Sequence, residues 1–167
     1  MSTKYNTKNF IEQKLLSLKI NKKVLAEQIN IKYCSLLQIV NNGVTPNLKT
    51  LIKIATYFNC SINDVIAVGP NVNSKIYTSY VDISDALQNY NKNLREFLIR
   101  KMQEHKLNPY LLARNLGFNK TIVARFMDKD KTDRTLTTPV VIAISQYFNT
   151  PIDIIIGRAI NCKDNVV

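Results

Sequence analysis

The chain has 167 residues, 46% of them apolar, enough to fill one medium core or two small ones. Lys and Arg outnumber Asp and Glu by 23 to 12, and the resulting net charge of +11 points to a polyanionic partner, nucleic acid first. No stretch approaches a membrane span, the polar start from Met1 to Phe10 is unlike a signal peptide, and Cys34, Cys60 and Cys162 lack zinc-motif spacing. The expectation is therefore a cytoplasmic protein with reduced thiols, no metal, no cofactor and no membrane partner.

In chain order, Phe10, Ile11, Leu15 and Leu18 recur at helical spacing and predict a first helix with an inward apolar face. Asn21 sits where an N-cap belongs and opens a second helix that stops near Asn30, a residue type that tolerates the left-handed backbone of a tight turn. A third helix is expected from about Lys32 to Asn41, burying Ile31, Leu36 and Ile39. Asn42-Gly43 and Pro46-Asn47 break the chain before a fourth helix, Leu48 to Asn59, and a short fifth, Ile62 to Ile66, closes the pattern. The stretch from Val68 to Asn91, with Gly69-Pro70 and a Ser84-Asp85 helix-start signal, reads as a linker with some structure of its own.

The pattern then begins again. At an offset of about 87 residues Phe10 meets Phe97, Ala26 meets Ala113, and Lys14, Lys19 and Asn21 meet Lys101, Lys106 and Asn108. Near the end the offset is about 90, where Tyr57-Phe58-Asn59 returns as Tyr147-Phe148-Asn149, so the second copy carries a three-residue loop insertion. Its helices are expected around Phe97, Leu98 and Met102, from Asn108-Pro109 to Gly117, from Asn119 to Met127, from Val140 to Asn149 after Thr138-Pro139, and from Ile152 to Ile156. The fold expectation is all-α: two tandem five-helix domains, residues 1–68 and 92–167, joined by a linker at 69–91. The apolar run Ile152 to Ile160 near the chain end favours some self-association, hence a possible homodimer.

The run Leu25-Ala26-Glu27-Gln28-Ile29-Asn30-Ile31, with Ser35-Leu36, Ile39, Asn42-Gly43, Pro46, Leu48, Leu51, Ile54-Ala55 and Asn63, resembles the Cro/C1-type helix-turn-helix (XRE) family. The second copy is similar through Leu112-Ala113, Leu116-Gly117-Phe118, Thr121, Val123, Phe126, Ile142, Ile144 and Tyr147-Phe148-Asn149, and departs between Asp128 and Thr138. The resemblance implies lambda-repressor-like domains whose third helix enters the major groove of double-stranded DNA. It further implies that Gln38, Tyr33, Cys34 and Ser35 read bases, Gln38 by pairing its amide with adenine, and that Lys22, Lys32, Asn42, Asn47 and Lys49 meet the phosphates. In the second copy the same alignment offers Lys120, Thr121 and Arg125 to bases, with Arg125 in the place of Gln38 and suited to guanine, and Asn119 to phosphate. Pro109 and Ile122 there replace a polar phosphate contact and a small hydroxyl. Charge divides unequally, +7 for residues 1–80 and +4 for 81–167, so counterion release is expected mainly from the first copy.

The resemblance implies a transcriptional regulator, expected to be a repressor, acting on an operator with no small-molecule effector indicated. Either both copies read successive major grooves, or the second dimerises and two first copies read a palindrome. The competing reading is an antitoxin-like adaptor that grips a protein. Enzymatic chemistry is not expected, because the chain has four glycines, scattered acids and a single histidine, His105, which aligns with Leu18 and reads as a satisfied, partly buried side chain.

Overall fold

Five helices follow one another in the first half: α1 (Thr7–Leu18), α2 (Lys22–Gln28), α3 (Tyr33–Asn42), α4 (Leu48–Tyr57) and α5 (Ile62–Ile66). The computed structural model describes residues 7–67, 77–128, 130–131 and 133–161, and the chain divides into two compact units, Met1–Val68 and Gly69–Val167. Short polar side chains start the helices. Asn21 Oδ1 accepts the Val24 N–H and Asn47 Oδ1 the Thr50 N–H, both at 2.9 Å, while Ser61 and Asp64 form a reciprocal capping box on α5. Left-handed residues stop them: after α2, Asn30 (φ 50°) turns the chain so that the Ile31 N–H reaches the Ala26 carbonyl at 3.0 Å. The amphipathic faces then meet in a core of Ile11, Leu25, Leu36, Leu51, Ile54 and Ile62, all fully buried. Leu18, expected to face inward, is instead 51% exposed, because the helix ends there and the chain turns at Lys19 (φ 53°). Ile31 is half-buried.

The second unit contains α6 (Ile83–Glu104), α7 (Pro109–Asn115), α8 (Ile122–Phe126), α9 (Thr138–Tyr147) and α10 (Ile152–Ile155), with two short strands, β1 (Tyr77–Tyr80) and β2 (Ala159–Asn161). Several of its turns match those of the first unit. Asn108 Oδ1 caps α7 by accepting the Leu111 N–H at 2.8 Å, Gly117 (φ 76°) ends it, and the Phe118 N–H reaches the Ala113 carbonyl at 3.0 Å. Lys106 and Asn149 share the positive φ of Lys19 and Asn59. Phe97 and Phe148 meet edge to face at 5.8 Å, as Phe10 and Phe58 do at 5.7 Å.

Three features set the second unit apart. Residues 83–91, within the stretch read as linker, form the opening turns of α6, with Asp82 accepting the Ser84 N–H at its start and Ala86 and Tyr90 buried. The chain is predominantly helical, but β1 and β2 add an antiparallel ribbon that the helical pattern did not anticipate. Tyr77 lies opposite Asn161 and Tyr80 opposite Ala159, with an irregularity between. Against this ribbon lies a fully buried ion pair, Asp153 with Arg158, whose guanidinium stacks 4.0 Å over the Tyr80 ring and whose carbonyl accepts the Val81 N–H at 2.9 Å. Ile152, Ile155 and Ile156 are also buried, so these members of the apolar run near the chain end serve this unit's own core and offer no surface for self-association. Gly69-Pro70, Ile160 and Cys162 lie outside the residues whose side chains are described.

Candidate nucleic-acid interface

Burial divides α3 cleanly. Leu36, Ile39 and Val40 are buried and Leu37 is half-buried, which leaves Cys34, Ser35, Gln38, Asn41 and Asn42 exposed on the other side, while Tyr33, also exposed, stands at the helix start in a groove with Leu15, Leu16 and Ile20. The 3.6-residue period of the helix produces this division. Lys32 stands exposed at the N-cap with extended backbone (φ −63°, ψ 131°) and makes no side-chain cap, so its ammonium is available beside the helix start. At the far end Gly43 (φ 65°) closes α3, and its N–H and that of Val44 return to the carbonyls of Ile39 and Gln38 at 3.1 Å.

Neighbouring side chains organise this face. Lys22, the first residue of α2, donates from Nζ to Asn41 Oδ1 at 2.9 Å and so joins the start of one helix to the end of the next. Asn42 Nδ2 donates to Gln38 Oε1 at 2.7 Å, one turn apart on α3. On the rear of the motif, Lys53 Nζ donates to the Asn30 carbonyl at 2.6 Å and the Tyr57 hydroxyl to Gln28 Oε1, which fastens the α2–α3 turn to α4. Asn47, itself exposed, caps α4 with its oxygen, and Lys49 is exposed two residues on. Asn41 was absent from the residues singled out by sequence. Only its position one turn after Leu37, on the outward side, hinted at a role, since its partner lies 19 residues away.

The corresponding face of the second unit is built differently. The sequence predicts a helix from Asn119, but α8 begins at Ile122 and has five residues against ten in α3. Asn119 Oδ1 accepts both the N–H and the hydroxyl of Thr121 at 3.0 Å, and this local turn competes with the helix and delays its start. Asn119 and Lys120 are therefore exposed in a turn before α8, and Arg125 is exposed on it. Ile122, expected on an outward surface, is half-buried in an open cleft of about 550 Å³ beside Phe126, Leu136, Arg125 and Arg134.

The end of α8 is held by two arginines. Arg95 of α6 lies 4.2 Å from the Phe126 ring and donates to the carbonyls of Phe126, Lys131 (3.2 Å) and Arg134 (3.3 Å). Burial lowers its pKa, opposed by the charges of Asp128 and Asp133. Arg134 donates to the Arg125 carbonyl at 3.1 Å and stands 3.8 Å from Asp128. His105, expected partly buried, is exposed, its ring 5.5 Å from Phe148, because the chain leaves α6 at that point just as it leaves α1 at Leu18. Among the described residues no cluster of His, Cys, Asp and Glu is placed to hold a metal, and no helix is long and apolar enough to cross a membrane.

The family described as the Cro/C1-type HTH DNA-binding domain matches residues 11–71, which takes in most of α1, all of α2 to α5 and every residue of the first face. An uncharacterized HTH-type transcriptional regulator of Rickettsia conorii is 40% identical over 70 residues, covering 40% of this chain and 64% of its own length. A second, from Rickettsia prowazekii, is 39% identical over 70 residues, 40% of this chain and 76% of the relative. The chain thus spans just under two thirds of the first relative and about three quarters of the second. No solved structure matches the chain.

Proposed function

The chain belongs to the Cro/C1-type helix-turn-helix family of DNA-binding transcriptional regulators, and from that premise we propose that its first unit reads an operator in the major groove with α3. The observation that carries the reading is the division of α3 into a buried side and an outward polar side that holds Cys34, Ser35 and Gln38, with Tyr33 exposed at the helix start and the cations of Lys22 and Lys32 flanking it. Gln38 presents an amide that matches adenine N6 and N7, a contact that discriminates by about 1–3 kcal/mol. Lys22, Lys32, Asn47 and Lys49 take the phosphates and set the register without reading sequence. Repression is the proposed outcome of that binding, as the family resemblance implies.

The second unit repeats the turns of the first and is proposed as a second, modified helix-turn-helix in which Arg125 faces guanine, with Lys120 and Thr121 beside it and Asn119 toward phosphate. Its short α8 and the acidic residues Asp128, Asp130 and Asp133 near that helix make it the weaker contributor. Titration of the full chain against a mixed-sequence duplex at increasing salt tests the phosphate assignments. Removing one phosphate contact with Lys22→Ala lowers the slope of log K against log salt by about one. A slope near zero for the wild type favours a protein-binding adaptor and overturns the DNA reading.

A further inference from the structure

Asn42 stands among the family-like phosphate contacts, yet its amide nitrogen is spent on Gln38 Oε1, 2.7 Å away. A lone exposed glutamine amide has a broad terminal torsion and presents its donor and acceptor ends in either order. Against base edges in the major groove that freedom is a loss of information, since adenine offers a donor and an acceptor in a set order. The hydrogen bond from Asn42 engages one lone pair of Gln38 Oε1, and so points the oxygen toward the C-terminal end of α3 and the NH2 group away from it. The second lone pair and the NH2 group stay available to a base.

We propose that Asn42 is a specificity-determining positioning residue, which acts through Gln38 by giving its amide a single polarity in the groove, and is not a phosphate contact in its own right. The inference rests on the reading of Gln38 as a base reader. The adjacent Asn41 does the equivalent for charge, holding the Lys22 ammonium at 2.9 Å, so the last two residues of α3 orient one side chain of each kind. Both Asn42 and Gln38 are exposed and α3 ends at Gly43 beyond them, so replacing either removes no core contact.

A double-mutant cycle on the full chain tests this, with binding-site selection followed by affinity measurements on the selected duplex and on duplexes changed at single base pairs. Gln38→Ala is expected to lose about tenfold in discrimination at one base pair. Asn42→Ala is expected to lose about fivefold at that same base pair and nothing elsewhere, the worth of one net hydrogen bond. The double variant should match Gln38→Ala alone, because Asn42 has nothing left to position. If the two losses multiply, or if Asn42→Ala weakens every duplex alike, Asn42 touches the phosphate backbone directly and the proposal is overturned while the reading of Gln38 stands. If Gln38→Ala leaves every preference intact, the reading of Gln38 falls and the proposal with it.

Discussion

Lys8 of the first unit and Arg95 of the second align at the sequence offset of about 87 residues, and the exchange accompanies two differently built surfaces. A lysine ammonium on α1 has no planar fork to offer, whereas Arg95 gathers the carbonyls of Phe126, Lys131 and Arg134 while stacking on Phe126. The helix after the turn is ten residues long in one unit and five in the other, and the second unit alone has the inserted loop, held against α6 by Arg95. A second exchange works in the same direction. Asn63 of the first unit is a buried neutral side chain, and its counterpart Asp153 is a buried carboxylate that brings in Arg158 and, through Tyr80 and Val81, the strand β1. The second unit thus spends Arg95, Asp153 and Arg158 on its own loop and interior, while Lys22 and Lys32 of the first unit flank the outward side of α3.

The largest expected effect breaks that internal pairing. Asp153→Ala leaves the Arg158 guanidinium buried without its counterion and should destabilise the second unit by about 3–5 kcal/mol, whereas Asn63→Ala costs the first about 1 kcal/mol. Hydrogen exchange on the full chain, resolved by segment, reads both: protection should collapse in α10 and β1 for the former and stay nearly unchanged in α5 for the latter. Next in size, Arg95→Ala removes charged hydrogen bonds worth about 2 kcal/mol and should speed exchange at the end of α8 and at residues 133–136. Unchanged exchange there would show that the loop is held by something else. Smallest is the pair Asn21→Ala and Asn108→Ala, each expected to cost about 1 kcal/mol through loss of an N-cap. Equal thermal shifts would mark the capped turn as the common scaffold, and a clear inequality would separate the two units further.

The same distinction explains what the sequence made legible. Periodicity, capping asparagines and left-handed turn positions are local signals, and among the described residues they located the helices to within a few residues and exposed the internal sequence repeat, except that α6 begins at Ile83, inside the stretch read as linker. Asn21 with Val24, or Asn108 with Leu111, needs no distant partner to be recognised. The outward side of α3 followed from the same period. What escaped depended on long-range pairing: Arg95 reaching residues 31 to 39 positions away, and Arg158 over Tyr80. The start of α8 was misplaced for a local reason, since Asn119 and Thr121 form a turn of their own that competes with the helix. The ribbon had a faint signal in the aromatic and hydroxyl-rich run Tyr77-Thr78-Ser79-Tyr80, obscured by the glycine, proline and asparagine before it.

Binding-site selection on the wild type, Gln38→Ala and Arg125→Ala at one stated salt concentration shows whether the first unit is the principal reader. Gln38→Ala is expected to relax preference at one base pair by about tenfold and Arg125→Ala to have the smaller effect. A larger loss with Arg125→Ala, or selected sequences unchanged by either substitution, would contradict that role.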